Sequence, residues 1–396
     1  MKKIFPVLLV VVFCGTAAAT EFVTIADKTI SGELGGVSED GIVTIVPDVG
    51  EPSTVSADEL KLVRFGRGRE AEEPLSGVVA YLTGGDRITG EMVGASKSQV
   101  TINSRALGEV SVPLGNVLAV EFRRAGERVR NAAEMREEML EHEDENDIFI
   151  AVSGDRLAGI LAGFEDDQVV LRTDVGETKL GLARLFGIAL GAREATEPPE
   201  SLLAVAHCTD GSVVTGQLLE SDAGVRLALV AGPEVTVPTR RMVEMLFKQG
   251  KLVYLSDLEP VEQETRPYFS GDHTWPYQSD LSYDRTPIRL GGETYRKGLG
   301  MFSGMTLTYR LDGEFSRFAS LVGIDDADVN HLGNVDVRVL ADGEERFKKT
   351  GLTRETGPVR VDIPVEGVER LTLVVEFGEN MHFGDLTSWA DARLVR

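Results

Sequence analysis

The sequence has only two cysteines and two tryptophans, and aromatic residues make up just 6% of it. Cys14 lies in an N-terminal leader, which leaves Cys208 alone and excludes an intrachain disulfide, so stability has to come from the core. Beyond the leader no stretch approaches the ~20 consecutive apolar residues that a spanning helix requires. Positive charge is scarce as well: 41 basic residues stand against 64 acidic ones, for a formal net charge of −23. A field of that sign repels nucleic acid and anionic membrane surfaces. It suits neutral glycans, basic partners or divalent cations. Catalytic signatures are missing too, with no G-x-S-x-G elbow, no H-E-x-x-H helix and no βαβ alternation. Repeats take up residues 20–250 and leave no room for a catalytic barrel of ~250 residues. The expectation is a protein that is not an enzyme.

At the start, Lys2 and Lys3 precede an apolar run from Ile4 to Phe13 and then Ala17-Ala18-Ala19. That is the pattern of a secretory signal ending near Ala19. It predicts a secreted, periplasmic or cell-surface location, with no transmembrane span once the signal is cleaved; retention of the leader as an anchor is the alternative.

Four repeats follow, each marked by a glycine inside a strand: Gly32 in ISGEL, Gly90 in ITGEM, Gly159 in LAGIL and Gly216 in VTGQL. Asp27, Asp86, Asp155 and Asp210 precede these glycines. The closing residues Phe65, Phe122, Leu190 and Phe247 follow them by 33, 32, 31 and 31 positions. So regular a spacing predicts repeats over 20–66, 77–124, 148–191 and 202–249. Each reads as short alternating strands with a glycine kink, resembling a small bent barrel of the Sm-like kind. The charged insert 125–147 carries Met135 and Met139 at i,i+4 and predicts a helix, solvated on most faces, that acts as a spacer or a docking element. His207 and Cys208 fit a core strand better than a metal pair. The repeats are expected to be spacers or an assembly platform with an envelope protein partner, and not to bind nucleic acid.

From residue 252 to 396 the pattern changes to longer alternating strands: Val335, Val337 and Val339; Val359, Val361, Ile363 and Val365; Leu371, Leu373, Val375 and Phe377. Turn signals such as Asp342-Gly343 separate them, and the pattern predicts a two-sheet β-sandwich or jelly roll. The fold class is therefore all-β.

Several blocks in this region resemble the NPCBM family of carbohydrate-binding modules. They are Leu290-Gly291-Gly292, Tyr295-x-Lys297-Gly298-Leu299-Gly300, the run from Tyr309 to Phe318, Val322-Gly323-Ile324-Asp325-Asp326, and Trp389-Ala390-Asp391-Ala392-Arg393-Leu394. The resemblance implies a galactose-binding-like sandwich that holds glycan or polysaccharide in loops at one end. Such modules are often attached to secreted glycoside hydrolases or cell-surface proteins. One departure stands out, because Phe302 occupies a position where the family usually has histidine.

A sugar site needs an aromatic face for the ring and polar groups for the hydroxyls, since hydroxyls buried without partners are costly. The aromatic candidates are Trp275 and Trp389, with Tyr277, Tyr283 and Tyr295. The polar candidates are Asp325, Asp326, Asn334, His382, Asp385 and Asp391. Trp389 also fits a core strand, and Asp325 and Asp326 also fit a turn. Asp326, Asp328 and Asn330 have the D-x-D-x-N spacing of a calcium loop, although Leu332 and Val337 break the EF-hand pattern. A structural calcium is the one cofactor that the sequence suggests. Two readings follow: a glycan-binding protein, or an envelope scaffold whose sandwich has lost its sugar site.

Overall fold

The computed structural model describes residues 20–66, 71–72, 76–96, 98–165, 167–191, 196–269, 276–379 and 381–396. It separates into two bodies, residues 1–247 and 248–396. Residues 1–19, where the signal is expected, and Trp275 lie outside the described residues.

In the first body every repeat has the same five-strand plan. Repeat 1 runs Thr20–Thr24, Thr29–Val37, Ile42–Val46 and Ser53–Ser56, then a 3-10 turn and Leu60–Arg64. Its first strand pairs with its second and its fifth, while the second and third strands continue as antiparallel hairpins. The glycine sits where the second strand bends. At Gly90 a Cβ would lie 2.3 Å from the Asn103 carbonyl oxygen, so no larger residue fits.

The barrel-like repeats stay open, because their fifth strands pair across repeats. Val63 of repeat 1 faces Met245 of repeat 4, and Val120 of repeat 2 faces Ile188 of repeat 3. Repeats 2 and 4 meet through their second strands, with Arg87 opposite Val213. The spatial order is therefore 3-2-4-1. Buried residues of all four repeats, among them Phe22, Phe65, Ile88, Val110, Phe149, Leu171, Val214 and Phe247, share one apolar core.

The insert forms the helix Ala132–Leu140. It is more than a solvated spacer: Met135 and Met139 are buried against Ala119, Ile150, Phe186 and Ala189. Arg136 fixes it further by donating to Glu121 at 2.8 and 2.9 Å. Burial alone would raise the Glu121 carboxyl, but hydrogen bonds from Arg136, Arg123 and Tyr81 outweigh it and lower the pKa to about 2. Cys208 is buried, and burial pushes its thiol up and out of reactive range.

The second body is an antiparallel sandwich. One sheet runs Gln278–Ser279, Gly298–Met301, Thr387–Val395, Arg317–Ile324, Val359–Pro364, with Leu252–Tyr254 on the far part of Thr387–Val395. The other runs Glu262–Thr265, Met305–Arg310, Arg370–Phe377, Asn334–Ala341, Glu344–Thr353. Alternation turns Met305, Leu307 and Tyr309, along with Val335, Val337 and Val339, inward onto Trp389, Leu299 and Val322. Strand register decides where the loops go. Met301 and Ile324 both face Thr387, and Met305 faces Val375. The connections 302–304, 325–333 and 378–386 therefore all cross between the sheets at one end.

Candidate functional site

Aromatic rings gather at that end, from the segment after Thr265, from Phe377 and from the connection 378–386. Tyr268 packs edge-on against Phe269 at 4.9 Å and against Phe377 at 5.0 Å. His382 stacks on Phe383 at 4.9 Å and meets Phe269 at 5.7 Å. Tyr268, Phe269 and Phe383 are 42%, 49% and 47% exposed. For aromatic residues in a sequence so poor in them, that is a concentrated apolar surface.

Beneath the rings lie buried polar atoms without a well-formed hydrogen bond among the described residues: Asn334 Oδ1, His382 Nδ1, and Ser303 Oγ beside the Asp385 carboxyl, whose Oδ2 is the fourth. They surround Asp385, which is fully buried and accepts the Asn334 N–H at 2.9 Å through its other oxygen. Burial raises the Asp385 carboxyl to about 6, although Ser303, the Asn334 amide and His382 pull the other way. Native proteins seldom leave several buried polar atoms unsatisfied in one place. Together with the exposed rings, the cluster could face an apolar ring surface and receive hydroxyl donors.

The structure brings two of the sequence candidates, His382 and Asp385, together, with Asn334 beside them. The other candidates are placed elsewhere. Trp389 is fully buried between Leu299 and Val322 in the ladder, so its face is closed to any ligand. Asp325 is 1% exposed and saturated, accepting from Ser388 Oγ at 2.6 Å and from the backbone N–H groups of Arg289 and Ala327. It is a strut that ties three segments together. Asp391 stands in the Thr387–Val395 strand with φ 53° and accepts from the buried Arg393 at 2.6 Å. Tyr295 closes the open end of the hairpin Ile288–Leu290/Glu293–Tyr295 and packs on Ile288, Leu290 and Ala390.

In the D-x-D-x-N segment, backbone amides engage the two carboxylates. Asp326 accepts from Gly292 N–H at 2.8 Å, Asp328 accepts from Gly333 N–H at 3.0 Å, and Asn330 is exposed. Arg354 supplies the positive charge there, 3.7 Å from Asp326 and donating to the Asp328 carbonyl at 2.8 Å. Among the described residues, no group of three or more His, Cys, Asp or Glu could hold a metal ion. A cavity of about 300 Å³ lies beside Asp326 and Arg354, walled by Gly291-Gly292 and Gly357-Pro358.

Lys297, in the middle of the glycine-rich block, bridges Asp257 at 2.7 Å and Asp280 at 2.6 Å beneath the ring of Tyr254. Burial would lower its pKa, but the two carboxylates raise it. Like Trp389 and Asp325, it serves the fold. Tyr268, Phe269, Ser303 and Phe383 were missed because they lie in loops without periodicity. The aromatic doublets Tyr268-Phe269 and His382-Phe383, in a chain with so few rings, were the available signal.

Residues 251–395 match the NPCBM/NEW2 domain. The protein named "Putative endo-alpha-N-acetylgalactosaminidase" from Renibacterium salmoninarum is 27% identical over 112 residues, which are 28% of this chain and 7% of that protein. This chain therefore matches a small fraction of its curated relative. Among solved structures, a CBM51 module from Clostridium perfringens GH95, in complex with methyl-galactose, is 29% identical. The match covers 36% of this chain and 99% of that one, with a TM-score of 0.33. The tandem CBM51 modules of Sp3GH98 from Streptococcus pneumoniae are 14% identical, covering 95% of this chain and 87% of theirs, with a TM-score of 0.32. The matched stretch, residues 251–395, is the one that carries the aromatic and carboxylate cluster at the end of the sandwich.

Proposed function

We propose that this chain is an exported, non-catalytic glycan-binding protein whose NPCBM/NEW2 domain holds sugar in the loops around Asp385. The observation that carries this reading is the pairing of exposed rings with buried, unsatisfied polar atoms. Phe383, Tyr268 and Phe269 offer a face for the C–H side of a sugar ring. Asp385, Asn334, Ser303 and His382 offer partners for its hydroxyls, which lose affinity if they are buried unpaired. Export rests on the leader pattern of residues 1–19, and the acidic field of the chain favours neutral glycans over nucleic acid. The repeats would then serve as the platform that carries the sandwich.

One observation favours a second reading, an envelope scaffold without sugar binding. Phe302 stands where the family usually has histidine and supplies no hydrogen bond from its ring.

A glycan-array screen of the full chain, run beside Phe383→Ala and Asp385→Asn, separates the two. Selective binding by the wild type, reduced at least tenfold in both folded variants, is expected from the first reading. Silence across neutral and acidic glycans would move the assignment to the scaffold and to a protein partner of the repeats.

A further inference from the structure

The junction between repeats 2 and 4 is a near two-fold contact in which equivalent residues exchange roles. The residue four before the glycine in one repeat receives the residue just before the glycine in the other. Asp86 accepts Thr215 N–H at 2.7 Å and Thr215 Oγ1–H at 2.6 Å. In the mirrored half, Ser212 Oγ accepts Thr89 N–H at 3.1 Å and lies 3.1 Å from Thr89 Oγ1. Arg87 faces Val213 at the centre. Asp86, Thr89, Ser212 and Thr215 are all buried there.

Because the repeats stand in the order 3-2-4-1, the two outer ones have the same second-strand edge with nothing paired on it among the described residues. In repeat 3 the equivalent residues, Asp155, Arg156, Leu157 and Ala158, are all exposed; Arg156 pairs with Glu138 of the insert helix at 2.6 Å and Asp155 accepts from Ser153 Oγ at 2.7 Å, exposed contacts that docking would exchange. Leu157 is 38% exposed, where its counterparts Ile88 and Val214 are fully buried. In repeat 1 the equivalents Lys28, Thr29 and Ser31 are exposed as well.

The side chains on these edges are not interchangeable. Repeat 3 repeats the chemistry of repeat 2: Asp155 and Arg156 stand where Asp86 and Arg87 stand. Repeat 1 keeps the hydroxyl of Thr215 as Ser31, while Lys28 and Thr29 stand where repeat 4 has Ser212 and Val213. Two copies of the repeat 3 edge would oppose Arg156 to Arg156 and offer no hydroxyl to either aspartate, which is unfavourable. Two copies of the repeat 1 edge would set Lys28 against Ser31 with no carboxylate at all.

We propose that copies of this chain join head to tail, the Asp155–Ala158 edge of one docking on the Lys28–Ser31 edge of the next. Asp155 receives Ser31 N–H and Oγ–H as Asp86 receives Thr215, and Arg156 lies opposite Thr29. The contact uses different surfaces on the two partners, so it propagates and does not stop at a dimer. The partner is a second copy because the docking surfaces are the chain's own, already joined once inside it. Each added copy brings one more sandwich, and simultaneous engagement of several sandwiches strengthens attachment to a polymer.

The test is sedimentation velocity of the full chain across a wide concentration range, with Asp155→Ala and Ser31→Glu. The wild type is expected to grow beyond twice the monomer mass as concentration rises. Each variant alone stays at monomer mass, and an equimolar mixture of the two gives a species of twice that mass and no larger, since each retains one intact edge. Circular dichroism and the thermal unfolding midpoint check that the variants fold; if Ser31→Glu lowers the midpoint, Thr29→Arg, opposite Arg156, takes its place. A wild type that is monomeric throughout overturns the proposal. So does assembly that survives either variant, or a mixture that stays monomeric.

Discussion

Phe302 stacks on Tyr283, their ring centroids 5.0 Å apart and their planes 26° from parallel. Its other side meets His382 at 6.3 Å. The residue at the family's histidine position therefore packs against two rings at the margin of the loop site, and its side chain donates no hydrogen bond.

From this we predict that Phe302→His gains glycan affinity and loses stability. A histidine there restores a hydrogen bond to the site worth about 1 kcal/mol, roughly fivefold in Kd. Loss of the stacked pair costs about 1 kcal/mol. Isothermal titration against the best array ligand and a thermal melt read the two effects separately; an unchanged affinity would remove position 302 from the site.

Asp385 should make both stability and binding depend on pH. Its folded pKa of about 6 lies above the ordinary value of 3.8. The folded state thus favours the protonated acid, a stabilisation that is full below about 3.8 and is lost as pH rises through 6. A rise of that size corresponds to on the order of 3 kcal/mol. Hydroxyls donate to the ionised form, so glycan binding is expected to strengthen as pH passes 6. In Asp385→Asn both curves should flatten over this range; a variant that keeps the wild-type profile would assign the titration to another group.

Glu121 is expected to hold the insert helix against repeats 2 and 3. Its pKa falls from 4.5 to about 2, so its contribution is present above 4.5 and is lost as pH drops through 2. Glu121→Gln removes the buried carboxylate that Arg136 and Arg123 share and should cost about 3 kcal/mol at pH 7. Urea unfolding of the variant at pH 7 and pH 3 checks this. A destabilisation that is equal at both values would contradict an electrostatic role.

The all-β class was legible because period-two alternation of apolar residues is a direct trace of a strand with one buried face. The glycine of each repeat was legible for a steric reason: a Cβ at Gly216 would meet the Ala228 carbonyl oxygen at 2.5 Å. Pairing between repeats was not legible. Val63 and Val120 sit in similar apolar fifth strands, and nothing local says that one faces Met245 and the other Ile188. At the site, Trp389, Asp325 and Asp391 were misread because motif residues can serve the fold as readily as a ligand. Phe383 and Phe269 were missed because irregular loops carry no period.

The crossing of repeat 1 to repeat 4 also sets an order of events on the ribosome. Val120 and Ile188 are 68 positions apart, so repeats 2 and 3 can join as soon as repeat 3 emerges. Met245 follows Val63 by 182 positions, and the fifth strand of the first repeat waits for the end of the fourth. During that interval the first repeat to be made is the last to be covered, with an apolar strand edge open to other nascent chains. Slow translation through residues 66–240 would lengthen that exposure, and a chaperone that shields Leu60–Arg64 would shorten it.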